Sequence, residues 1–165
     1  MSFFNLKDKK DFFLKKENIY FFLMICSIFI FDRVSKNYII NNFSDYTYYI
    51  NDFINVNLIW NIGIGFGFLG TDSTLLYSLV TIIIGLVILY LVYIFVISEN
   101  LDKFVFSLIL GGAFGNIYDR LTYKAVPDFI DLHYNNFHWF TFNVADIFIT
   151  MGIIIFLIRG FFIKN

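Results

Sequence analysis

A chain of 165 residues that is 59% hydrophobic, with 24 Phe, 11 Tyr and a mean hydropathy of +0.72, is far more apolar than a soluble domain. Its formal net charge of -1 gives no pull toward nucleic acid. Cys26 is the only cysteine, which excludes an intrachain disulfide, and the single proline, with no low-complexity tract or linker, describes one domain over residues 1–165.

A bilayer core offers no water to backbone groups, so long apolar runs predict spanning helices. The first runs from about Glu17 to Ile40. It follows a long basic leader and is succeeded by "IFDRVSK", where a cleaved signal sequence would show small residues, so a retained anchor is expected. Next comes an outer segment of about 50–70. In "DFINVNLIWNIG", Ile54, Val56, Leu58 and Trp60 alternate with their neighbours, a period of two that predicts a strand at the membrane surface. Glycines at 63, 65, 67 and 70 then permit tight turns or close approach to a ligand, and equally a plain flexible connection. Further spans are expected at about Ser73 to Ile97, Lys103 to Leu121 and Phe142 to Arg159.

Basic residues set the direction. Lys7, Lys9, Lys10, Lys15 and Lys16 precede the first span, Lys103 lies between the second and third, and Arg159 and Lys164 close the chain. No basic residue stands between Lys36 and Lys103, and the connection from Thr122 to Thr141 holds only Lys124. Both termini are therefore expected in the cytoplasm, with the segments around Asn41 to Asp72 and Thr122 to Thr141 outside.

This direction gathers the polar residues at one depth. Asp32 and Lys36 end the first span, "GGAFGNIYDRL" places Asn116, Asp119 and Arg120 at the end of the third, Asp128 and Asp131 follow, and Asn143 and Asp146 begin the fourth. Ionisable groups in spans are costly and usually face the bundle interior, where they pair or act. Asp32 and Lys36 share a helix face at a spacing of four, as do Asn116 and Arg120, and Asn143 and Asp146 share one at a spacing of three. Asp32 with Lys36, and Asp119 with Arg120, also suit a purely structural ion pair. Asp146 has no basic neighbour in sequence, and Asp128 has only Lys124 across Pro127. Gly111, Gly112 and Gly115 form a small-residue pattern that lets helices approach closely, which would make the third span central.

Several chemistries drop out. Cys26 lies deep in the first span, away from both histidines; Ser35 and Lys36 are helical neighbours that point about 100° apart. His133 and His138 lack metalloprotease spacing and read as polar loop residues, with no metal implied. Carboxylate is what remains. Two carboxyls in a poorly hydrated site share a proton, so one acts as base and the other as acid on water and a peptide carbonyl. Asp128 and Asp146 suit that role, and a proton-coupled carrier that uses the same acids stays open on these grounds.

The blocks "DRVSK" at 32–36, "NIGIGFGF" at 61–68, "GGAFGNIYDRL" at 111–121, "VPDFID" at 126–131 and "FNVAD" at 142–146 stand in an order that resembles the lipoprotein signal peptidases, the type II signal peptidases of bacterial inner membranes. The resemblance covers nearly the whole chain. It implies an all-α membrane protein of four transmembrane helices with a small extracytoplasmic β-cradle. The activity implied is aspartic endopeptidase cleavage of diacylglyceryl-modified prolipoproteins just before the lipidated cysteine. The catalytic pair carries over to Asp128 and Asp146; Asp32, Lys36, Asn61, Gly63, Asn116, Asp119, Arg120 and Asn143 become supporting or substrate-binding residues. Lipidated prolipoproteins, membrane lipids and cyclic peptide inhibitors of the globomycin type are the partners implied, and no metal or organic cofactor is. The chain departs from the family pattern at Pro127, usually aliphatic, at Lys124, where glycine is common, and at Ile64 and Gly65, where alanines are usual.

Overall fold

The structure is a computed structural model that describes residues 16–44, 46–63, 74–135 and 137–162. Among these, four helices are present: α1 (Lys16–Asn42), α2 (Thr74–Ile97), α3 (Asn100–Tyr123) and α4 (Val144–Phe162). Four strands accompany them: β1 (Tyr48–Asn51), β2 (Ile54–Asn61), β3 (Val126–Tyr134) and β4 (Phe137–Phe142). The glycine-bearing stretch with Ile64, Gly65, Gly67 and Gly70, expected as part of a cradle, lies outside the described residues, as does the basic leader before Lys16.

Three helices, α1, α2 and α4, are long and apolar enough to cross a membrane. Their outward faces are greasy: Leu75, Ile82, Leu86 and Leu89 of α2, and Phe156 and Phe161 of α4, are exposed. A continuous apolar exterior of this extent suits lipid, not water. Helix α3 has spanning length, with 24 residues, but carries Asp102, Lys103, Asp119 and Arg120. It packs against α1, α2 and α4 together and is the most enclosed of the four, as its glycines predict.

Those glycines set how closely the helices approach. A methyl group at Gly111 would meet Ile28 Cβ of α1 at 2.7 Å, and one at Gly112 would collide with the carbonyl oxygen of Ala145 in α4. Gly85 of α2, by contrast, faces open space. Gly112→Ala is expected to destabilise by about 1–3 kcal/mol, because α4 must move. Gly85→Ala is expected to be neutral or to stabilise by up to about 1 kcal/mol through helix propensity. Thermal unfolding of both variants in detergent checks the contrast; equal losses would mean that α3 and α4 are not packed at this distance.

The strands form one antiparallel sheet in the order β1-β2-β3-β4. The expected outer strand is present as β2, but the outer connection from Thr122 to Thr141 is not a loop: it is the β3–β4 hairpin. The fold is thus mostly helical with a small antiparallel sheet, as expected, but the sheet has four strands and extends beyond the single outer strand that the sequence marks. The hairpin hides in the sequence because β3 is buried on both faces and holds acids in the interior, so no apolar-polar alternation marks it. Its last residues also displace the start of the fourth helix from Phe142 to Val144. Between Val56 and Ile59 the β2–β3 register shifts, after which Ile59, Trp60 and Asn61 oppose Asp128, Pro127 and Val126. Pro127 sits at the second residue of β3, where its missing N–H costs little of the ladder. Lys124 closes α3 in the left-handed conformation, φ 55°, which glycine adopts most freely and which accounts for the glycine usual there.

Candidate active site

Asp128 enters from β3 and Asp146 from the first turn of α4, eighteen residues later in sequence but on the same cavity. That cavity, of about 180 Å³, is also lined by Asn61, Asn116, Arg120 and Thr150. Each carboxylate is held by two N–H donors. Asp128 Oδ1 accepts from Asn143 Nδ2 at 2.6 Å and Oδ2 from Asn61 Nδ2 at 2.8 Å. Asp146 Oδ1 accepts from Asn116 Nδ2 at 2.8 Å and Oδ2 from the Asn143 backbone N–H at 3.1 Å. The Asp146 N–H donates in return to Asn143 Oδ1 at 3.1 Å, so Asn143 and Asp146 form a reciprocal cap on the start of α4. Asn143 thus touches both acids. The spacing of three residues seen in the sequence is what makes this cap possible.

Asp128 is 3% exposed. Burial, followed by the nearby Asp146 carboxylate, pushes its carboxyl up to about 7 from an ordinary value near 4, while the Asn61 and Asn143 amides oppose the rise. A proton is therefore retained close to neutrality at this pair of acids.

Behind the cavity stands a second polar layer. Lys36 is fully buried and its Nζ reaches Asp32 Oδ2 at 2.9 Å, Asp119 Oδ2 at 2.7 Å and Asn116 Oδ1 at 2.8 Å. By occupying Asn116 Oδ1, Lys36 turns the amide so that Nδ2 points at Asp146. Asp32 Oδ1 accepts from the Ala145 N–H at 3.0 Å, which places a carboxylate at the positive end of α4. Gly115 leaves room for it, since any side chain there would collide with the Asp32 carboxylate. Within this layer, two acids, Asp32 and Asp119, are balanced by two cations, Lys36 and Arg33.

Arg33 was not among the expected site residues. It grips Asp119 through two N–H donors, at 2.5 and 2.8 Å, contacts Asp32 at 3.1 Å and lies 4.9 Å over the Tyr118 ring. Its presence inside "DRVSK" was visible, but its partner lies 86 residues away, beyond the reach of helical spacing. Asp119 and Arg120 are not partners. As helical neighbours they diverge: Asp119 turns to α1, and Arg120 donates to the backbone carbonyls of Asn116 and Gly63, both at 3.2 Å. Gly63 also donates its N–H to Asn61 Oδ1 at 2.9 Å, so the residue entering the glycine-bearing stretch is tied to the cavity from two sides. Asp131 faces away from this layer, toward His138.

A family model described as signal peptidase (SPase) II matches residues 24–162. The chain belongs to the signal peptidase II family. Among relatives in that family, a lipoprotein signal peptidase of Pelagibacter ubique is 47% identical over 146 residues, which cover 87% of this chain and 88% of the relative. The lipoprotein signal peptidase of Francisella tularensis subsp. novicida is 35% identical over 158 residues, covering 92% of this chain and 98% of that one. Among solved structures, a bacterial membrane enzyme determined by the in meso method at 2.3 Å resolution superposes with a TM-score of 0.70 at 30% identity, covering 88% of this chain and 92% of that chain. Every block that carries the family resemblance lies within the matched residues.

Proposed function

We propose that this chain is a membrane aspartic endopeptidase that removes the signal peptide from diacylglyceryl-modified prolipoproteins, cutting just before the lipidated cysteine, with Asp128 and Asp146 as the catalytic pair. The observation that carries the reading is a buried carboxyl, Asp128, and a half-buried one, Asp146, on one cavity, each oriented by amide donors and together retaining a proton near neutrality. In the reaction the ionised carboxylate takes a proton from water as the water oxygen bonds to the scissile carbonyl carbon. The protonated partner donates to the carbonyl oxygen; the proton taken from water then passes from the first carboxyl to the departing amine as the C–N bond breaks, and a hydroxyl proton of the tetrahedral intermediate returns to the partner carboxylate. With the Asp128 carboxyl pushed up to about 7 by burial and by Asp146, the resting pair shares one proton between the two carboxyls. Asn61, Asn116 and Asn143 orient the two carboxylates, Arg120 and Gly63 border the substrate path, and Asp32, Lys36 and Asp119 support them.

In this reading α3 is the fourth spanning helix. Its charges are tolerated because Lys103, Asp119 and Arg120 are buried in the bundle and paired or hydrogen-bonded, while Asp102, near the start of the helix, pairs with Arg159. Both termini are cytoplasmic and the cavity opens near the outer face of the bacterial inner membrane, where the sheet lies beside the substrate path. Globomycin-type cyclic peptides occupy the same cavity as inhibitors. Among the described residues the carrier reading lacks a relay: the acids of the cavity and the layer behind it gather at one end, and toward the other Asp102 pairs with Arg159 while Lys103 donates to Asn18.

Purified protein in detergent is expected to cleave a synthetic diacylglyceryl-prolipoprotein; failure in every suitable lipid, with proton flux in vesicles instead, would favour the carrier. The pH profile gives a second test. Above about 7 the pair loses its shared proton, so kcat/KM is expected to fall about tenfold per pH unit. A raised carboxyl also lowers folding stability as pH rises from the unfolded value toward 7, because the folded state then holds the extra proton. A profile flat from pH 6 to 9 would refute the shared proton.

A further inference from the structure

The far half of the sheet holds a polar cluster that the reaction does not use. His133 of β3 and His138 of β4, expected as loop residues, are cross-strand partners with ring centres 5.4 Å apart. His138 Nδ1 lies 2.7 Å from Asp131 Oδ2. Facing a carboxylate, Nδ1 is the nitrogen that carries the proton and donates, which leaves the Nε2 lone pair free. A carboxylate behind a histidine in this manner is the arrangement that fixes the tautomer and orientation of metal-binding imidazoles. His133 is only 7% exposed, and neither of its ring nitrogens has a hydrogen-bond partner. A buried polar ring left in this state is costly and calls for a missing partner.

We propose that His133 and His138 chelate a borderline divalent cation of the Zn²⁺ kind, with Asp131 orienting His138. With metal–nitrogen bonds of about 2.0–2.1 Å, two imidazoles on one tetrahedral ion have ring centres roughly 5 Å apart, close to the spacing here. Imidazole donors select Zn²⁺, Cu²⁺ or Ni²⁺ over the oxygen-seeking Mg²⁺ and Ca²⁺. Among the described residues no cluster of three or more His, Cys, Asp or Glu ligands forms, so the ion takes two imidazoles and completes its shell with water. The His138 side chain, 57% exposed, leaves that side open to solvent. The ion ties β3 to β4. That hairpin carries Asp128 at one end and leads into Asn143 at the other, so the ion would steady the strands beneath the cavity without touching it. Five residues of extended chain separate Asp128 from His133, about 16 Å at the usual rise per residue.

The test uses the full chain in detergent, freed of any polyhistidine tag and stripped with chelator, then titrated with zinc chloride by calorimetry and thermal unfolding. One saturable equivalent and a higher unfolding midpoint are expected, with no response to magnesium chloride. His138→Ala, at an exposed position, is expected to remove the binding and the shift. Asp131→Asn is expected to weaken zinc binding by about 10- to 100-fold while the protein stays folded. Absence of saturable zinc binding by the parent, or binding by His138→Ala equal to the parent, overturns the proposal; a bridging water at His133 would then be the explanation.

Discussion

Asp128→Asn and Asp146→Asn are each expected to lower prolipoprotein cleavage by about 10²–10⁴-fold while leaving the bundle folded. An amide cannot take a proton from water, and it cannot hold the proton that the pair shares near neutrality. Shape is nearly unchanged, and the carboxamide oxygen still accepts one N–H bond, from Asn116 at residue 146 and from Asn61 or Asn143 at residue 128. Replacing Asp128 also removes a carboxyl that is costly to ionise in a buried place, so stability is not expected to drop for electrostatic reasons. Initial rates at saturating substrate, paired with thermal unfolding of each variant, check this. If both variants unfold like the parent and cleave at its rate, these aspartates are not the catalytic pair.

Lys36→Met is expected to produce the largest loss of stability, about 3–5 kcal/mol, because it removes one partner from a fully buried ion cluster. Lys36 is enclosed with Asp32 and Asp119, both completely buried, and without it Arg33 alone must balance two carboxylates. The double variant Lys36→Met with Asp119→Asn is expected to recover a substantial part of that loss, since it withdraws one of the stranded charges. Denaturant or detergent unfolding of the two variants measures the difference. A Lys36→Met protein within about 1 kcal/mol of the parent would mean that water reaches the cluster and screens it. Activity is a separate readout. Lys36 holds the Asn116 amide in the orientation that serves Asp146, so any Lys36→Met protein that remains folded should still cleave more slowly.

Much of this molecule was legible before any fold was known. The apolar runs located all four helices to within a few residues at most ends, and the period of two in "INVNLIW" located β2. Spacing along one helix also served well where both partners lie on it: Asp32 meets Lys36, and Asn143 meets Asp146, as their separations of four and three suggest. The β3–β4 hairpin was not legible, because a strand buried on both faces with acids inside has no alternation to read. Nor was the pairing of Asp119, which adjacency suggested with Arg120; neighbours on a helix diverge, and its actual partners come from α1.

The sequence by itself determined that the chain is a membrane protein, which segments become helices, and which acids and amides stand near their ends. Those properties depend on hydrophobicity and on local periodicity, which act along the chain. Only the tertiary structure decided that Asp128 and Asp146 share one cavity, that three asparagines from β2, α3 and the β4–α4 junction aim their amides at them, and that Arg33 balances Asp119. These contacts join residues up to 86 positions apart, and they exist because α3, notched by its glycines, lets α1 and α4 close in on both sides.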